Sequence, residues 1–175
     1  MLAYVFVVFA IAFRFVPHPW GFTPLTGSLL FFGARGTRRM MWVPLALMMA
    51  CDVVLTRFWY VLPITWDQYV TWLWYAGVLW LGTRLKNHEK PLPVLGAALT
   101  GSVSFFLISN GAVWAATNLY PKNLSGLMTS YALGLLHFPR NLSGDLLFTS
   151  AMFASPVLLQ WLSRAFDKGD HAAAA

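Results

Sequence analysis

A cysteine and an aspartate stand side by side in LMMACDVVLT, where Cys51 and Asp52 sit within a run of apolar residues. A thiolate is a soft ligand suited to a transition-metal centre, whereas a buried free thiol otherwise packs as a small hydrophobe. A carboxylate in such a run costs free energy unless it is paired or hydrated. Asp52 therefore marks a site that needs a partner, with Arg14 or Arg57 available. Adjacent residues on a helix lie about 100° apart, so Cys51 and Asp52 address different surroundings.

A second constellation is FFLISNGAVW, Phe105 to Trp114. Phe106, Asn110 and Trp114 recur at i, i+4 and i+8 and share one helix face. An unpaired carboxamide in hydrocarbon costs on the order of 2–7 kcal/mol, so Asn110 either bonds a neighbouring helix or lines a polar cavity. Gly111 allows the close backbone approach that the first alternative needs. A third set is spread along the chain: Arg14, His18, Trp20, Trp59, Tyr60, Trp66, Asp67, Tyr120, Tyr131, His137, Arg140 and Asp145. Aromatic walls with a few polar and ionic groups suit a pocket for a bulky, partly polar ligand. The same aromatics also suit the belt at a membrane interface.

Other chemistries lack their residues. There is no Gly-rich phosphate loop, Walker lysine, HExxH or local Ser/His/Asp arrangement, so no nucleotide site is expected and any ATP-driven step belongs to another chain. The single cysteine forms no intrachain disulfide, and no Cys/His spacing suits zinc. An enzyme acting on a lipid or amphiphile would draw on His18, His137, Asp52 or Asp145. Acid–base work needs two groups within hydrogen-bond reach of one reacting centre, and no tight pair is visible. No catalytic residue is assigned.

The elements that position these residues follow from composition. The chain has 175 residues, 58% hydrophobic and only 10% charged, well below the roughly 25% charge of soluble domains. An all-α, multi-pass membrane protein forming one domain over 1–175 is expected. Breaks at Pro, Gly and charge give six crossings: Met1–Val16, Thr23–Ala34, Met40–Thr56, Asp67–Thr83, Leu92–Ala116 and Leu142–Ala165. No basic residue precedes the first run and no small-residue cleavage site follows it, so it is read as a helix and not a signal peptide. With both termini cytoplasmic, inner segments hold Arg35, Arg38, Arg39, Arg84, Lys86, Lys90, Arg164 and Lys168, against Arg14, Arg57, Lys122 and Arg140 outside. The basic residues are thus absorbed by topology, and nucleic acid is not an expected partner; the lipid bilayer is.

The long outer stretch 117–141 reads as a lid over the site. It contains a near repeat, KNLSG at Lys122–Gly126 and RNLSG at Arg140–Gly144, whose Asn and Ser suit helix N-caps. On that reading a short helix, Leu127–Leu136, lies over the outer face, and Asp145 stands in the first turn of the last crossing, where the helix dipole favours it. The tail 167–175 is expected to fray.

The order RFVPHPWGFTP, FFGA, CD in the third span, FFLISNGAVW, LYPKNLSGL and FPRNLSGDLLF resembles a family of small bacterial inner-membrane proteins grouped with the S-components, the substrate-binding subunits of energy-coupling-factor (ECF) vitamin transporters. The resemblance implies a six-helix bundle with cytoplasmic termini in the bacterial inner membrane. It implies a vitamin bound from the outside, either for a coupling module with ATPases or by a solitary transporter. It is also similar to solitary cobalamin transporters of that type, in which a membrane cysteine ligates cobalt. On that likeness Cys51 is the cobalt ligand and cobalamin the transported ligand.

Overall fold

The computed structural model describes residues 1–19, 21–86 and 90–173, with side chains as far as residue 165. Seven α-helices account for the regular structure, with no strand among the described residues. They are α1 (Leu2–Phe13), α2 (Leu25–Arg35), α3 (Trp42–Val54), α4 (Trp66–Thr83), α5 (Pro91–Ala116), α6 (Leu124–Leu135) and α7 (Phe138–Ala173). A 3-10 turn over Arg38–Met40 leads into α3, and a π-helical turn over Leu55–Trp59 leads out of it.

Three segments are long and apolar enough to cross a membrane: Arg38–Trp59, Pro91–Ala116 and Phe138–Ala165. Large apolar side chains such as Leu73, Leu92 and Val157 are 70–78% exposed on the outside of the bundle. Such a surface suits lipid, which solvates apolar groups while the helices satisfy their own backbone. This is a membrane protein. Helices α1 and α6 are apolar but shorter.

The shortest helix is the most enclosed. Every residue of α2 from Thr26 to Ala34 is buried, surrounded by α1, α4, α5 and α7. Phe31 meets Phe6 at 4.9 Å and Phe153 at 5.2 Å, both edge to face. Small residues let the backbones close. A Cβ on Gly33 would fall 2.9 Å from the Gly82 Cα of α4, and one on Gly27 would fall 2.9 Å from the Thr149 nitrogen of α7. Because Gly33 and Gly82 meet near the C-terminal ends of α2 and α4, Arg35, Arg38, Arg39 and Arg84 gather at one end of the bundle. Met1 and Pro156 lie beside Arg35 at that end.

Two expectations about the other end are corrected. Helix α6 does not lie across the bundle but runs back along α5. Ser130 Oγ donates to the Asn110 carbonyl at 3.0 Å, and Tyr131 OH to the Leu107 carbonyl at 2.9 Å. The second NLSG copy is not a cap. Asn123 does cap α6, accepting from the Gly126 nitrogen at 2.8 Å, but α7 has already begun at Phe138 before Asn141 is reached. Phe138 packs on Phe106 at 5.0 Å and Pro139 suits a first turn, so the helix starts earlier than its capping residues suggest. Asp145 accordingly stands about two turns into α7, not at its start. The tail expected to fray is helical as far as Ala173; residues 174–175 lie outside the described residues.

Candidate functional site

Opposite the basic end, the segment after α1, the start of α2, the π-turn after α3, and α4, α5 and α7 surround a cavity of about 500 Å³. Its polar lining comes from Arg14 at the end of α1, His18 and Thr23 in the following loop, Thr26 of α2, and Asn141 and Asp145 of α7. The apolar wall comes from Phe15, Leu55, Trp59, Tyr60, Trp74, Tyr75 and Phe105. The π-turn adds a residue to one turn of helix, a distortion common at functional sites, and carries Trp59 and Tyr60 to this wall. It ends in strain: Val61, β-branched, has φ 54°.

At the floor, Arg14 Nη2 pairs with Asp52 Oδ1 at 2.6 Å. Gln68 Nε2 donates to Asp52 Oδ2 at 3.1 Å, Trp72 Nε1 to the same oxygen at 2.8 Å, and Tyr75 OH to Oδ1 at 3.3 Å. A carboxylate only 3% exposed is thus met by four donors from α1 and α4. Its partner is Arg14 and not Arg57. Gln68, Trp72 and Tyr75 fall at spacings of four and three on one face of α4.

Asp145 is different. It is 8% exposed and accepts a 2.5 Å hydrogen bond from Ser102 Oγ of α5, with Thr26 beside it. Among the described residues the one ion pair is that of Arg14 with Asp52, so Asp145 has hydroxyl partners and no ion-pair partner, although Arg14 and His18 line the same cavity.

Of the residues expected at the site, Arg14, His18, Tyr60 and Asp145 line the cavity. Asp52 stands behind it and holds Arg14. Cys51, also not among the lining residues, is buried beside Arg14. Asn110, Trp114, Tyr120, Tyr131, His137 and Arg140 do not line the cavity, and Trp20 lies outside the described residues. The face of Phe106, Asn110 and Trp114 is the seat of the α6 hairpin. Asn110 donates to the Phe106 carbonyl at 2.8 Å with its carboxamide against Gly134, while Trp114 Nε1 donates to the Pro121 carbonyl at 2.9 Å. His137 gives its backbone carbonyl to the Arg140 and Asn141 nitrogens, both at 3.1 Å, and so closes the start of α7. Trp74, Tyr75, Phe105, Thr26 and Asn141 are lining residues that the sequence reading does not single out.

A family model described as a family of unknown function, DUF6580, matches residues 1–167. The chain belongs to that family. The match takes in every lining residue of the cavity. No curated protein and no solved structure matches the chain.

In this DUF6580 member the cavity lining includes an imidazole and a carboxylate, His18 and Asp145, each with a partner of its own. The His18 ring bonds the Val16 carbonyl at 2.7 Å and rests against Phe13, while Asp145 takes its hydrogen bond from Ser102, so the two do not form an acid–base couple. Among the described residues no three His, Cys, Asp or Glu side chains converge to hold a metal ion.

Proposed function

We propose that this chain is a membrane substrate-binding protein of S-component type that takes a small vitamin-class ligand into the cavity from the outer face of the bacterial inner membrane. The observation that carries the reading is the cavity itself: about 500 Å³, within the range of small-molecule sites, with an aromatic wall and a few polar groups at its base. The gathering of Arg35, Arg38, Arg39 and Arg84 at the opposite end supports cytoplasmic termini and an outward mouth. On this reading the six membrane segments are α1 to α5 and α7, α2 being too short to span by itself, with α6 folded back along α5. The ligand is released to the cell either through a separate energy-coupling module or by the chain alone.

Cobalamin is the largest ligand within this reading and makes the strongest demands. Cys51 must leave its buried place and face the cavity to reach cobalt, and the aromatic wall must widen. A smaller vitamin needs neither change. Mass spectrometry of the purified protein for co-purifying small molecules, followed by thermal-shift titration with a vitamin panel that includes cobalamin, tests the reading. A bound vitamin that raises the melting temperature is expected. Phospholipid alone, with no shift across the panel, overturns it. A corrinoid spectrum that moves on Cys51→Ser would establish the cobalt–thiolate form; a smaller ligand untouched by that change would leave Cys51 as packing.

A further inference from the structure

The cavity joins one buried carboxylate to aromatic surfaces whose polar edges are already occupied. Trp74 donates its Nε1 to Ser104 Oγ at 3.0 Å, and Tyr75 gives its hydroxyl to Asp52. What these two side chains offer a ligand is therefore ring surface, continued by Phe105, whose ring centre lies 4.8 Å from that of Trp74. The positive charge of Arg14 is matched by Asp52 through Nη2, while its Nη1 is buried without a hydrogen-bond partner. The negative charge of Asp145 is supported by the Ser102 hydroxyl, with no ion-pair partner among the described residues.

We propose that the cavity selects an organic cation, a ligand with a quaternary or protonated nitrogen joined to an apolar ring or chain, whose charge Asp145 neutralises and whose body lies against Trp74 and Phe105. This rests on the binding reading above and narrows its ligand class. The chemistry is favourable on both sides. Aromatic faces attract cations, most strongly where water is excluded, and a carboxylate in an apolar setting is costly until a counter-charge arrives. An anionic ligand could take a hydrogen bond from Arg14 Nη1, a buried donor without a partner, but the charge of Arg14 is already matched by Asp52 and that of Asp145 would oppose the ligand. A neutral ligand would leave the carboxylate as it is.

The test uses the full-length protein in lipid nanodiscs and calorimetric titration with thiamine, choline and tetraethylammonium as cationic probes, biotin as an anionic probe and riboflavin as a neutral one. At least one cationic probe is expected to bind, and Asp145→Asn to weaken it by about tenfold or more while changing any riboflavin binding by less than about twofold. Where Asp145→Asn does not fold, competition on the unmodified protein serves instead: a second cationic probe should displace the first, and biotin should not. Binding of biotin or riboflavin with none of the cations would overturn the inference and leave the binding reading standing. Cation binding unchanged in a folded Asp145→Asn variant would overturn it as well. If no probe binds and no vitamin co-purifies, the binding reading falls and takes the inference with it.

Discussion

Asp52 and Asp145 are both almost fully buried, both approach the same cavity, and have opposite surroundings. Around Asp52 the fold has gathered an arginine, an amide, an indole and a phenol, so that every lone pair has a use. Around Asp145 it has placed hydroxyls. The first arrangement ties α1, α3 and α4 into one unit and leaves little for a ligand to gain. The second leaves a charge whose best partner has to come from outside the chain. Burial alone does not distinguish a structural carboxylate from a binding one; the count and charge of its donors does.

Removing each carboxylate separates them most strongly. Asp52→Ala strands Arg14 and three further donors, and breaking a buried pair from one side costs on the order of 3–5 kcal/mol, so a collapse of monodisperse yield and melting temperature is expected. Asp145→Ala strands only hydroxyls, and a loss of about 1–2 kcal/mol is expected in the same melting experiment. Equal losses would erase the distinction. Replacing the pair together, Arg14→Met with Asp52→Leu, should recover part of the stability lost in Asp52→Ala, since apolar residues of similar volume substitute for buried ion pairs. A double variant no better than the single one would mean that Gln68, Trp72 and Tyr75, not the ion pair, set the cost.

Smaller changes probe the donors. Ser102→Ala withdraws the hydroxyl that Asp145 relies on, and about 1–2 kcal/mol should be lost. Gln68→Ala leaves Asp52 with three donors, and the loss should stay near about 0.5–1 kcal/mol. Reversal of that order by thermal or denaturant melting would show that Asp52 is the less well supported of the two.

Much of the helical plan was legible because long apolar runs broken by Pro, Gly and charge leave few alternatives. Helices occur at all six expected positions. The demand of Asp52 for a basic partner was legible too, though the choice of Arg14 over Arg57 was not, since it depends on how α1 crosses α3. The two NLSG copies show where local signals stop. Each is preceded by proline and a basic residue, as PKNLSG and PRNLSG, yet Asn123 caps a helix and Asn141 lies inside one. The difference is Phe138, which finds Phe106 on α5 and pulls the start of α7 forward. The cavity wall was hidden for a related reason. Trp74, Tyr75 and Phe105 read as ordinary apolar residues in mid-span, and only the three-dimensional packing turns them toward the same space.

The enclosure of α2 bears on how the chain comes together in time. A helix of 11 residues is about 16 Å long, roughly half the hydrocarbon thickness, and this one includes Thr26, Gly27, Ser28 and Gly33 among its buried residues. Lipid is a poor environment for such a segment, and the protein surfaces that replace lipid are made late. Gly33 waits for Gly82 of α4, and Gly27 waits for Thr149 of α7. As α2 leaves the ribosome neither of these partners has been made, so its first place in the bilayer is provisional. The centre of the bundle is synthesised before the surfaces that secure it, and its packing is complete only when α7 docks and shuts the ring around it.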